Sequence, residues 1–351
     1  MDIQFRDLTE SASYQELRQH LPGPRQLDPE RVAACSIPAG SGLAFNYAAE
    51  PVDDHIIRML QQLADEQQLI AKYRMLLSGE RVNTGENRAV LHHLTRGRIG
   101  DTVEIDGRDA YAFYRRQLER IERFCTDIHS GAITGSTGKP FTTVVQIGIG
   151  GSDLGPRALY LALEGYAEKR GLQRMRAEFI SNVDPDDAAA VLRRIDFERT
   201  LFILVSKSGT TQETLTNRDL ALQSIADSGI AGIVPARHMV AVTSESSPLA
   251  QSDEYLESFF IDDYIGGRYS STSAVGGLVL SLAFGAETFR ELLDGAHEAD
   301  TAALQENIRE NAALLDAMIG VFLRNVAGYP VTAILPYSQA LHRFAAHLQQ
   351  L

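Results

Sequence analysis

Cysteine is scarce in this sequence. Cys35 and Cys125 are the only two, far apart and in no metal-ligand spacing. A single disulfide is one reading of them; two free thiols in a reducing compartment is the reading adopted here. Long apolar runs are missing too. The longest, Ala274 to Ala286, contains three glycines and is too short to span a bilayer. The opening residues, MDIQFRDLTESASY, carry charges and no apolar signal core, so the expectation is a cytoplasmic protein. Positive charge is in deficit, with 33 Lys and Arg against 46 Asp and Glu, a net charge of −13 and a pI near 5.2. Such a surface repels nucleic-acid backbones and anionic lipid, which argues against both as partners. A small anionic ligand stays possible where a few cations are gathered locally.

Material for a core is plentiful: 44% of the 351 residues are hydrophobic, enough for two domains or for one large domain with an appendage. The first hundred or so residues read as helical and irregular. Residues 53–77 have helical spacing through Ile56, Ile57, Met59, Leu60 and Leu63, and Asn83-Thr84-Gly85 reads as a turn. Residues 87–96 read as a second helix carrying His92 and His93. Neighbouring helical side chains diverge by about 100°, so these histidines suit a shared metal poorly and read as structural.

From Phe141 the pattern changes. Nearly continuous apolar segments at 142–150, 176–183, 200–206, 238–243 and 258–262 read as strands. Helical segments at 155–166, 186–195 and 213–228 separate them, with Asp184-Pro185 as N-cap and first-turn proline of the second. Strands without alternation, separated by helices, indicate a parallel sheet covered on both faces. An apolar helix at 274–284 and a long helical stretch at 288–327 follow. Residues 329–337 then read as a new strand and 339–351 as a new helix, the opening of a second α/β unit.

In open parallel sheets ligands bind outside the carboxyl ends of the strands, and two loops there stand out. Gly148-Ile149-Gly150-Gly151-Ser152-Asp153 follows the first strand, with glycines that let a ligand approach the backbone and a hydroxyl at the helix entrance. Ser206-Lys207-Ser208-Gly209-Thr210-Thr211-Gln212-Glu213-Thr214 follows the third, packing five hydroxyl residues and a lysine into nine positions at a helix N-terminus. Free N–H groups and a positive dipole end favour anions there, so this loop reads as a phosphate cradle. An ordinary N-cap accounts for one hydroxyl and not for the lysine. A third element, Gly266-Gly267-Arg268-Tyr269-Ser270, sets a permanent planar cation between glycines and a buried helix, which favours a pocket-lining role over a surface turn. Nucleotide alternatives fail in detail. The dinucleotide fingerprint has Asp153 where its third glycine belongs, and 131–140 (GAITGSTGKP) has the wrong P-loop spacing, a proline for Ser/Thr, and a strand after it.

The segments ENRAVLHHLTR, VVQIGIGGSDLGPRAL, SKSGTTQETLTN, DYIGGRYSSTSAVG and LPYSQALHRFAAHLQQ, in this order, resemble the phosphoglucose isomerase family from about Glu86 onward. The resemblance implies an α/β fold: a three-layer αβα sugar isomerase (SIS) domain with a mainly parallel sheet, a helical N-terminal region, and the start of a second such domain. Boundaries are expected at 1–118, 119–287 and 288–351. It further implies interconversion of glucose 6-phosphate and fructose 6-phosphate through a cis-enediol, in glycolysis and gluconeogenesis, by a homodimer with no metal or organic cofactor.

By the same resemblance Ser206, Lys207, Ser208 and Thr211 hold the phosphate, Gly151 and Ser152 contact the sugar, and Arg268 stabilises the enediolate. Gln350 lies beside the reacting carbons, and Glu213 matches an acidic residue near the site. The family's proton-transferring glutamate, a ring-opening histidine and a further lysine correspond to positions beyond Leu351, and His342 and His347 do not match the histidine. The expectation is therefore that the 351-residue chain alone has little or no isomerase activity. A non-catalytic sugar-phosphate-binding module is the alternative, and a nicotinamide oxidoreductase the third reading.

Overall fold

The structure is a computed structural model describing residues 3–20, 23 and 26–351. Contacts group the chain into two compact units: one from Met1–Ala89, Ile99–Asp101 and Asp294–Ile334, the other from Val90–Arg98, Thr102–Leu293 and Leu335–Leu351.

In the first unit, α1 (Ala12–Leu17) and α2 (Pro29–Ala34) precede a hairpin of β1 (Ser36–Gly40) and β2 (Leu43–Asn46), then α3 (Asp54–Glu66) and α4 (Leu69–Leu77). The apolar stripe of α3 is buried with Leu315, Met318, Ile319 and Phe322. The helix expected over 53–77 is two helices, because Gln68 takes a left-handed conformation at φ 54° and turns the chain. The hairpin was not anticipated. Its tip is held from a distance, Ser41 N and Oγ donating to the Glu298 carboxylate at 2.8 and 2.6 Å, and no local pattern announces such a partner.

The second unit begins with a 3₁₀ turn at His92–Thr95, where a helix over 87–96 was expected. Asn87 at φ 52° and the Asn83–Arg88 bridge keep the preceding residues in a tight turn. A short ribbon of β3 (Glu104–Ile105) and β4 (Arg108–Asp109) leads into α5 (Ala110–Ser130). Then come β5 (Thr143–Ile147), α6 (Leu154–Arg170), β6 (Arg176–Ile180), α7 (Pro185–Leu192), β7 (Thr200–Val205), α8 (Gln212–Asp227), β8 (Met239–Thr243), β9 (Ser258–Phe260) and α9 (Ala274–Phe284). The five long-range strands form one parallel sheet in the order β6-β5-β7-β8-β9.

Alternate residues of these strands enter two cores. Val144, Leu201, Ile203, Val205, Val240 and Val242 pack with α5, α6 and α9; Val145, Ile147, Phe202, Leu204, Met239 and Ala241 pack with α7 and α8. That is the three-layer αβα arrangement expected, and burial on both faces explains the unalternated strand sequences. Asp184 caps α7 as expected, its carboxylate accepting from Asp186 N at 2.9 Å.

Two further expectations change. The stretch 288–327 is α10 (Ala286–Ala302) and α11 (Ala312–Asn325), divided where Asn311 caps α11 through Leu314 N and donates back to the carbonyls of Ala303 and Gln305. Residues 329–337 form no strand; no strand among the described residues makes a ladder with them, and Val331 and Tyr337 are exposed. The final helix is present as α12 (Phe344–Gln350) after a 3₁₀ turn. Both cysteines are free and buried. No helix among the described residues is long and apolar enough to cross a membrane.

Candidate active site at the carboxyl edge of the sheet

The chain runs from β5 outward to β6 and then returns to the other side of β5 as β7. The switch point of the sheet therefore lies between β5 and β7, where parallel α/β sheets place ligands. Ile147 pairs with Leu204, so the loops leaving these two strands start side by side. They are the glycine loop and the hydroxyl-rich loop singled out from sequence.

The first loop folds as a 3₁₀ turn at Gly150–Ser152, closed by Ser152 N to Ile149 O and Asp153 N to Gly150 O at 3.1 and 3.0 Å. Gln146, a polar residue inside the apolar strand, donates from Nε2 to Ser152 O at 2.7 Å and ties the loop to the sheet. Asp153 is buried and accepts from Arg157 Nε one helical turn later at 2.8 Å. Burial pushes its carboxyl above the usual range, and the Arg157 charge and hydrogen bond oppose that. Asp153 therefore anchors the entrance of α6.

The hydroxyl-rich loop turns at Gly209, whose φ of 70° suits glycine and whose missing side chain leaves room for Ser247 and Leu249. Ser206 is buried, its hydroxyl bonded to Thr211 Oγ1 at 3.2 Å and to Gly209 N at 3.1 Å. Ser208 Oγ accepts from Thr210 N and Oγ1. Thr211 occupies the N-cap of α8 without making a side-chain capping bond, so the simple capping explanation fails for it. An anion can then use the first-turn N–H groups of this helix. Lys207 follows at the rim, half-buried. Glu213, in the first turn of α8, is exposed and stands at the edge of this loop.

The third loop folds as a 3₁₀ helix over Gly267–Thr272 and is packed backbone to backbone on the first. A side chain at Gly151 would overlap the Gly267 carbonyl and come within 2.7 Å of Arg268 N. Ser270 Oγ closes the turn on Gly267 O at 2.7 Å. Ser273 caps α9. The Arg268 side chain itself is exposed. Beside it Tyr269 stacks on His92, ring centroids 4.9 Å apart at 17°. Burial, helped by the nearby Arg96 and His93 charges, lowers the His92 pKa to about 4.

The last helix reaches the same place. Gln350 Nε2 lies 2.9 Å from where a Gly150 side chain would begin, and His347 Cε1 stands 3.0 Å from the corresponding point at Gly155. The structure thus gathers Gly151, Ser152, Arg268 and Gln350 around the first loop. Ser206, Lys207, Ser208, Thr211 and Glu213 belong to the loop at the adjacent strand end. Sequence reasoning missed Gln146, although a glutamine interrupting VVQI is a visible signal. It also passed over Ser271, whose buried hydroxyl has no hydrogen-bond partner among the described residues and abuts Gly155 beside His347; that contact depends on distant elements and leaves no local trace.

Comparison with known proteins agrees with this architecture. A sequence model of the phosphoglucose isomerase family matches residues 46–351. A glucose-6-phosphate isomerase of Treponema denticola is 57% identical over 322 residues, covering 92% of this chain and 60% of its own length. One from Treponema pallidum is 53% identical over 361 residues, covering 99% and 66%. A crystal structure of a glucose-6-phosphate isomerase from Chlamydia trachomatis superimposes with a TM-score of 0.87 at 40% identity, over 98% of this chain and 66% of that one. The chain therefore spans 60 to 66% of the length of these relatives. With the family match running from Asn46 to Leu351 through all three loops at the sheet's carboxyl edge, the chain belongs to the phosphoglucose isomerase family.

Proposed function

We propose that this chain binds glucose 6-phosphate and fructose 6-phosphate and supplies the binding half of their interconversion. The observation that carries the reading is the uncapped, hydroxyl-rich N-terminus of α8 beside the switch point, with a lysine at its rim. Ser206, Lys207, Ser208 and Thr211 take the phosphate, using hydroxyls, an ammonium and helix N–H groups that all complement a dianion. Gly151 and Ser152 receive the sugar, and Gln350 stands beside its reacting carbons.

Aldose–ketose isomerisation removes a proton from C2 and returns it at C1, passing through a cis-enediolate whose charge a fixed guanidinium stabilises. Arg268 has that role, in a reaction that needs no metal or organic cofactor. Glu213 contributes an acidic group at the site's edge. The setting proposed is glycolysis and gluconeogenesis in the cytoplasm, by a homodimer.

At the sugar loop itself the carboxylate present is Asp153, which is buried and engaged by Arg157. This favours, for the 351 residues by themselves, a module that binds the sugar phosphate and turns it over little or not at all. Calorimetric titration should give saturable binding of fructose 6-phosphate, competed by inorganic phosphate, and no binding of glucose. Absence of binding would overturn the assignment. A coupled assay giving substantial turnover would overturn the binding-only reading and leave the substrate assignment standing.

A further inference from the structure

Lys207 is the cation of the phosphate loop, and its ammonium lies against a carboxylate from another strand end. Its Nζ is 3.4 Å from Asp263 Oδ1, with side-chain exposures of 33% and 58%. Three neighbouring strands create this contact. Lys207 leaves the carboxyl end of β7, and its carbonyl accepts from Ser244 N at 3.1 Å in the loop after β8. Asp262 and Asp263 follow β9, next in the sheet. The lysine side chain therefore spans the end of β8 to reach the β9 loop. Asp262 is held in place, accepting from Tyr114 OH at 2.7 Å and from Tyr264 N at 3.0 Å. This fixes the segment from which the more exposed Asp263 meets the lysine.

We propose that Asp263 is a positioning residue that holds Lys207 in the unliganded protein and competes with the substrate's phosphate for it. Binding then exchanges a carboxylate for a phosphate on one ammonium. A phosphate monoester carries close to two negative charges at neutral pH and three acceptor oxygens, so it wins the exchange. The carboxylate sets how tightly. This rests on the assignment of Ser206–Thr214 as the phosphate site.

The test is a double-mutant cycle on fructose 6-phosphate affinity, measured by calorimetry on the full chain. A half-exposed ion pair biases an equilibrium by about two- to fivefold. Asp263→Asn should therefore tighten binding about two- to fivefold, and Asp263→Glu, which keeps the charge, should bind close to wild type. In a Lys207→Gln background, Asp263→Asn should change nothing. Equal tightening in both backgrounds would mean simple repulsion of the ligand and would overturn the proposal. No tightening in the parent chain would overturn it as well. If Lys207→Gln alone binds as tightly as wild type, the phosphate assignment itself fails, an outcome distinct from the other two.

Discussion

The contact between the first and third loops gives the sharpest prediction. Gly151→Ala adds one methyl group to a residue whose φ is not among the positive ones, so no backbone strain enters. The methyl would overlap the Gly267 carbonyl and sit 2.7 Å from Arg268 N. The Gly267 carbonyl atoms would lie at 2.2 Å and unstrained contact needs about 3.5 Å or more, so the loops must separate by more than about 1 Å. Both obstacles are backbone, with no flexible side-chain end to swing aside. Overpacking of this kind costs about 1–3 kcal/mol. At about 2–4 °C per kcal/mol for a unit of this size, the melting temperature should fall by about 2–12 °C. Fructose 6-phosphate affinity should fall about tenfold, equivalent to about 1.4 kcal/mol, since the displaced loop is the one proposed to receive the sugar through Gly151 and Ser152. The control is Gly165→Ala on the exposed side of α6, where an added side chain meets nothing within 4 Å. It should stabilise by about 0.5–1 kcal/mol. Thermal melts and calorimetry on both variants decide the matter. If Gly151→Ala melts and binds like wild type, the two loops do not abut and the site geometry described above is wrong.

Two further predictions concern the cap and the half-buried His92. Thr211→Val should weaken phosphate binding about tenfold in calorimetry and cost about 1 kcal/mol of stability through the lost Ser206 hydroxyl bond, Thr211 making no capping bond; Asp184→Ala, which removes a true N-cap, should cost about 1 kcal/mol of stability and leave binding unchanged. His92, whose folded pKa of about 4 lies below the ordinary histidine value of 6.5, is neutral in the fold at pH values where the unfolded chain takes up a proton. Stability should therefore be independent of this group above pH 6.5 and fall as pH drops from 6.5 to 4, by about 3 kcal/mol in all. Urea melts at pH 7, 5.5 and 4.5 should show His92→Gln losing less over this range than wild type.

What could be read in advance follows physical locality. Strands such as Thr200–Val205 announce themselves because a parallel strand buried on both faces needs continuous apolar residues, and α9 is legible for the same reason. The loops after β5 and β7 stand out because ligand chemistry concentrates glycine, hydroxyls and lysine in short segments. Features decided by distant partners do not show. The β1–β2 turn depends on Glu298, the division of α10 from α11 on one asparagine with three partners, and the missing strand at 329–337 on the lack of a neighbour to complete its ladder. Within the site, the residue types of Ser206 and Arg268 were readable. The contacts of His347 and Ser271 with Gly155 needed coordinates because they join segments far apart in sequence, and that of Gln146 with Ser152 because the path of the loop between them decides it.

The placement of Gln350 against Gly150 has a consequence for biosynthesis. The first loop emerges from the ribosome about 200 residues before the helix that covers it, and at 5–20 residues per second that gap lasts roughly 10–40 s. From the completion of β9 at Phe260 the parallel sheet and its glycine loop exist without α12, so the sheet must be stable enough to wait. The surroundings of Gly155 and Ser271 stay open to solvent until α12 follows. Ligand arriving early would meet the hydroxyl-rich loop complete and the sugar position unfinished, so α12 joins the site later than the loops it covers.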